Sequence, residues 1–265
     1  MRLFLSISAF LLVAGPAFAG TVITSETTAP KEAAGKSVVY IEPDRVRIES
    51  PHDVTIFRGD QNVAYILTPA KKKFMRLTPE KMKEMAAAME KARAEMAEQL
   101  KSMPPAQRAQ IEKMMAGEMA GEVPKFTSRK VAGAGTVGKW QCERIEQLAN
   151  GEKQATLCVV RISEIGLSAD DLAPLQRFSA FMLQAAPQSA AATAAMDPQA
   201  LEQAVGYPAF AVQMEIPAAG VKTTTKSVEK KTNPADLFEV PAGYQEEAMP
   251  APGSDAGGAR GPARR

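Results

Sequence analysis

The stretch Thr136 to Ser163 reads TVGKWQCERIEQLANGEKQATLCVVRIS. Two runs rich in Val, Ile, Leu and Thr flank Asn150-Gly151, the strongest short-range signal for a tight hairpin turn. The chain's only two cysteines, Cys142 and Cys158, lie one on each arm. Their positions are symmetric about Asn150, so they are expected to face each other across the hairpin. A disulfide there would hold a register that a one-residue slip would otherwise turn inside out. For a loop of about this length the chain-entropy model gives roughly 3 kcal/mol. Trp140 shares a strand face with Cys142 and is expected to pack over the bridge.

Outward from the hairpin, the N-terminus sets the compartment. Arg2 gives a short positive region, Leu3 to Ala14 a mostly apolar run, and Ala17-Phe18-Ala19 an A-x-A pattern. Residues 1–19 therefore read as a signal peptide cleaved after Ala19. The apolar run falls well short of the roughly 20 residues that span a bilayer. Gly20 follows the cut, so no lipid-attachment cysteine stands there. No later segment is apolar and long enough to cross a membrane, and the expected location is the periplasm. An oxidising compartment keeps the two cysteines as one bridge; the alternative is two free buried thiols. Removing Arg2 turns a net charge of +2 into +1. That balance gives no reason to expect nucleic acid or an anionic membrane as partner. Nothing in the chain sets an oligomeric state.

Residues 20–35 are rich in Thr, Ser and Glu and read as a flexible lead-in, with a strand over Thr21 to Thr27 as the alternative. From Lys36 to Leu77 short alternating runs predict an antiparallel meander with one buried and one wet face. Its strands are Ser37 to Glu42, Arg45 to Glu49, Val54 to Phe57, Asn62 to Leu67 and Lys73 to Leu77. The period then changes. Thr78-Pro79-Glu80 is a helix start, with Thr as N-cap, Pro at the first helical position and an acid in the first turn. Met82, Met85, Met89, Ala92, Met96, Leu100 and Met103 step by three and four along an amphipathic helix. Pro104-Pro105 stops it. A second helix, about Ala106 to Ala120, carries Ile111, Met114, Met115 and Met119. The two make a helical insert over residues 78–121. Strand character resumes over Pro124 to Val131, and Gly133 and Gly135 predict a bend or bulge.

Beyond the disulfide hairpin, Ser168 with Asp170 and Asp171 caps a helix to Gln184 that buries Leu172, Leu175, Phe178, Phe181 and Met182. Ala185 to Ala204 predicts helix broken near Pro198. Pro208 to Ile216 and Val221 to Glu229 predict a second hairpin, and Ala235 to Phe238 a short turn. The single α+β domain is expected over residues 36–244. Residues 245–265, rich in Pro, Gly, Ala and Arg, are expected to be disordered.

The order of these signals resembles a family of periplasmic proteins grouped only as a domain of unknown function. The residues that carry the resemblance are TIFRGDQNVAYILTPAKKKFMRLTPE, the Met-rich insert, the WQC and LCVV of the hairpin, and the closing DLFEVPAGY. The resemblance implies a curved antiparallel sheet, similar to the half-barrel of the LolA and LolB lipoprotein carriers. A Met-rich helical hairpin and further helices would lie on its concave face. It carries no catalytic residues.

Nine of the fourteen methionines lie between Met75 and Met119. At helical spacing they read first as core packed on the sheet. A sharper reading makes Met82, Met85, Met89, Met96, Met103, Met114 and Met115 a plastic apolar lid for an acyl chain or a partner peptide. A third has Met82, Met85 and Met89 bind Cu(I), though no His or Cys supports them. His52, the only histidine, reads as a turn residue. It cannot build a His-rich metal site, and no nucleophile elbow accompanies it. The glycines of Ala132 to Gly138 lead into a strand and lack a phosphate loop's Lys-Ser/Thr ending. The expectation is a non-enzymatic periplasmic protein without cofactor or metal. It would hold a lipid or a lipidated partner between sheet and helices. A structural or interaction module with a self-filled core is the alternative.

Overall fold

A computed structural model describes residues 20–30, 32–102, 104, 125–185 and 198–248. Its frame is a twelve-stranded sheet in the order β12-β6-β5-β4-β3-β2-β1-β11-β10-β9-β8-β7. The strands are β1 Gly20–Ala29, β2 Glu32–Glu42, β3 Arg45–Glu49, β4 Val54–Arg58, β5 Val63–Thr68 and β6 Lys73–Leu77, then β7 Phe126–Val137, β8 Trp140–Ala149, β9 Glu152–Arg161, β10 Ala209–Ile216, β11 Val221–Lys231 and β12 Gln245–Glu246. Two meanders, β1 to β6 and β7 to β11, meet where β1 pairs with β11. Every pairing is antiparallel except β12 on β6. Among the described residues three α-helices accompany the sheet: α1 Pro79–Ser102, α2 Ala169–Ala185 and α3 Pro198–Val205. None among the described residues is long and apolar enough to cross a membrane.

The expected lead-in is instead the central strand. Thr21 to Thr27 pair with β2 on one side and β11 on the other. Its polar side chains join the ladder: Thr27 and Thr223 share a hydroxyl hydrogen bond of 2.9 Å, and Lys226 pairs with Glu26 at 2.7 Å. A strand bonded on both edges gains its order from backbone bonds as well as from side-chain alternation.

Register carries two apolar rows across the first meander on one face. One is Val228–Ile23–Val39–Ile48, continuing to Ile66 on β5. The other is Ile41–Val46–Phe57–Ala64–Leu77. Cys142, Cys158, Val160 and Val212 extend the same core through the second meander. Alpha2 covers it with Leu172 and Phe181, and the Phe57 ring lies 5.5 Å from Phe178 and 5.2 Å from Phe181. The opposite face of β3 to β5 buries Val54, Ile56 and Leu67 under Phe238. The opposite face of the second meander buries Ile145, Leu157 and Val159 under Leu201 of α3. The helices therefore do not share one face: α2 and the first turns of α1 lie on one side, α3 on the other.

The hairpin turn forms as expected, with Asn150 at φ 52° and Gly151 at φ 85°, both positive as the primed turn requires. Near it the register shifts between Gln147 and Leu148, which sets Arg144 opposite Cys158. The cysteines are thus diagonal neighbours on one face and do not stand directly opposite. They are bridged, with Cα atoms 5.4 Å apart, inside the range a disulfide spans. The bulge expected near Gly133 is present between Val131 and Ala134, with Gly133 at φ 101°.

The expected end of the fold at Tyr244 moves outward. Gln245 N–H donates to Lys72 O at 3.0 Å and Glu247 N–H to Phe74 O at 2.8 Å. The expected second arm of the insert, Ala106 to Ala120, and the stretch 186–197 lie outside the described residues, as do 249–265 and the signal peptide.

Candidate functional site

The expected site is the seam between the apolar sheet face and the helices. Alpha1 enters it as the sequence predicts: Thr78 Oγ1 accepts from Lys81 N–H at 3.3 Å and Thr78 O from Met82 N–H at 2.9 Å. This start aims Met82, only 1 % exposed, into the main core beside Leu77. Met85 is half-buried against the same core. Farther along, Glu84, Ala88, Lys91, Glu95 and Gln99 are exposed, and Leu100 is buried again. Met89 and Met96 lie on α1 without a described side-chain placement, and Met103, Met114 and Met115 lie outside the described residues.

Alpha2 supplies what the methionine pattern did not assign. Ser168 and Asp171 form a reciprocal cap: Ser168 N–H donates to Asp171 Oδ2 at 2.7 Å, and Asp171 N–H to Ser168 Oγ at 3.4 Å. Lys230 of β11 ties the same carboxylate to the sheet. Burial pushes Asp171 up, but Lys230 and Ser168 outweigh it and leave the carboxyl below its ordinary range. So anchored, α2 lays Leu175, Phe178 and Met182 over the sheet, where they remain only partly buried. Val39, Ile48 and Ile66 of the apolar row are partly buried on the same side. These six side chains, with Met85, pack against the main core and stay partly exposed, along the seam between sheet and helices. The α2 residues were legible as a buried helix face; only their pairing with the β2, β3 and β5 row needed the three-dimensional register.

Chemistry elsewhere is sparse. His52 is exposed in the bend before β4, as a turn residue should be. Among the described residues no three His, Cys, Asp or Glu side chains converge as metal ligands. Met82, one of the three thioethers considered for Cu(I), faces hydrocarbon in the sealed core. A cleft of about 340 Å³ opens between β1, the β2–β3 turn and the start of α2. It is bordered by Glu42, Asp170, Asp171 and Arg177, and by none of the seven methionines.

Trp140, 7 % exposed, joins the core that holds both cysteines. Lys139 Nζ lies 5.6 Å from its ring centre.

No family model and no curated protein matches this chain. The resemblance to the domain-of-unknown-function family rests on the quoted motifs alone. Two solved structures share coarse likeness. PNGF-II, in its C2 crystal form, is 9 % identical with a TM-score of 0.35, covering 86 % of this chain and 30 % of its own. This chain thus spans under a third of that protein's length. A LolA superfamily protein, NE2245 from Nitrosomonas europaea, is 7 % identical with a TM-score of 0.26, covering 84 % of this chain and 91 % of its own. At these scores neither likeness carries an argument about fold or function.

Proposed function

We propose that the protein is an exported, non-enzymatic binding protein. It holds the acyl chain of a lipid, or of a lipidated partner, in the seam between the sheet and α1 with α2. The observation that supports this is that Val39, Ile48 and Ile66 of the sheet and Leu175, Phe178 and Met182 of α2 are all apolar, partly exposed and packed on the same core. Partly exposed apolar side chains contributed by both sheet and helix favour an apolar occupant between them. Met85 of α1, half-buried against the same core, adds an unbranched thioether that adapts to irregular ligands.

A second reading is a structural or interaction module whose own side chains fill the space. The burial of Met82 favours it. The two separate when stability and binding are measured on the same variants. Met82→Ala should cost about 2–5 kcal/mol under either reading. Met85→Ala and Phe178→Ala should weaken uptake of a fluorescent fatty-acid probe several-fold under the binding reading. Wild-type protein that takes up no such probe leaves the seam as packing and removes the carrier function.

A further inference from the structure

Gly20, the first residue after the A-x-A pattern, is buried and opens the central strand β1 opposite Lys231 of β11. A Cβ on it would stand 2.3 Å from Glu42 Oε1 and 2.5 Å from Asn233 Nδ2. The Glu42 carboxylate and the Asn233 amide thus close directly over Gly20, and a side chain there would displace their tips. Glu42, half-buried at the end of β2, accepts a hydrogen bond from Asn233 Nδ2 at 2.9 Å. Among the described residues it has no cationic partner.

The surrounding charges are largely committed. Lys230 of β11 pairs with Asp171 and also donates to Thr21 Oγ1 at 3.2 Å. Arg177 of α2 pairs with Asp44 at 3.1 Å and donates to Pro43 O. Asp170, in the first turn of α2, is exposed. Lys231 lies in the ladder across from Gly20. Among the described residues Glu42 and the exposed Asp170 make no ion pair, and of the two Glu42 is the half-buried one. It touches the residue whose amine a cut after Ala19 would release.

We propose that Ala19–Gly20 is a processing site whose product is a structural cation, the Gly20 ammonium paired with Glu42 at the head of β1. A signal-peptidase-type protease would hydrolyse that peptide bond with one water. The carboxylate stays on Ala19, and the amine on Gly20 takes up a proton. The cut then adds the missing ion pair at the junction of the two meanders, so maturation completes the seating of the central strand. The inference rests on the export reading made above.

An α-amino group ordinarily titrates at about 7.7–8.0. A carboxylate beside it favours the charged form and raises that value. The group's contribution to stability is then full below its ordinary pKa and is lost as pH rises through the raised one.

The test begins with N-terminal sequencing and intact mass of protein recovered from the periplasm. The expected start is Gly20; any other start overturns the export and processing premise itself. On Gly20-starting protein, NMR titration should place the α-amino pKa above the ordinary range, and Glu42→Gln should return it there. A refolded chain that retains Phe18-Ala19 should melt several degrees lower than the Gly20-starting chain, and Glu42→Gln should abolish the difference. An ordinary amino pKa, or equal melting of the two chains, overturns the ion-pair proposal and leaves the export reading standing.

Discussion

At the scale of single residues, close approach and charge decide more than identity alone suggests. Gly135 stands opposite Cys142 on the edge strand, and a Cβ on it would lie 2.9 Å from Cys158 Sγ and 3.0 Å from Cys142 Sγ. The bridge thus occupies the space of a missing side chain. Gly135→Ala should destabilise by about 1–3 kcal/mol, the usual cost of overpacking. In the background Cys142→Ser with Cys158→Ser the cost should shrink, since hydroxyls are smaller than bridged sulfurs. Equal costs in both backgrounds, read by denaturant unfolding, would show that the bridge is not what the methyl meets. Arg58 and Asp60 make a charge prediction. Arg58, buried in β4, donates to both Asp60 oxygens, at 2.9 and 2.7 Å. Those bonds hold the Asp60 carboxyl below its ordinary range. A carboxyl depressed on folding contributes stability above its unfolded pKa of about 3.9, and that stability is lost as pH falls through the depressed value. Asp60→Asn should therefore lower the melting temperature at neutral pH and flatten the loss on acidification. An acid limb as steep as in the wild type would contradict this role.

At the scale of elements, the C-terminal segment acts as a strap. Phe238 is 1 % exposed over Ile56 and Leu67. Arg58 pairs with Glu239, and Arg47 Nη1 donates to Leu237 O at 2.9 Å. Phe238→Ala should cost about 3–5 kcal/mol. Beyond it, β12 adds two residues to β6, and Lys73–Glu247 and Lys81–Glu246 pair at 2.9 and 3.0 Å. Exposed ion pairs contribute little, so deleting residues 245–265 should lower the melting temperature by only a few degrees, about 1–2 kcal/mol. No change at all would mean that β12 adds nothing to β6. Legibility in the sequence followed the same physics. The start of α1 was readable because Thr78-Pro79 carries its own signal, and the hairpin because Asn150-Gly151 does. Beta12 was hidden because two parallel residues leave no periodicity. Beta1 was legible only as an alternative, a strand over Thr21 to Thr27, because Thr24 to Thr28 lack an apolar alternation and half their pairing comes from β11, which is distant in sequence. The seam was half legible: Leu175, Phe178 and Met182 announce a buried helix face, but only the register shows that Ile48 and Ile66 belong to one apolar row of the sheet. The methionine pattern pointed to α1, yet among its placed methionines only Met85 borders the seam.

At the scale of the whole molecule, the chain is two meanders joined through a polar central strand. The main core runs across both, and α2 with the head of α1 packs on it. Such a layout separates two tasks. Sealed residues such as Val46, Ile56 and Leu157 hold the sheet, while partly buried ones beside α2 remain available to an apolar occupant. The most direct test is native mass spectrometry of protein released gently from the periplasm. The account predicts a bound species with the mass of a lipid, lost on delipidation and displaced by a fluorescent fatty acid. Protein that flies at its bare chain mass, and takes up no fatty acid when offered one, would contradict it.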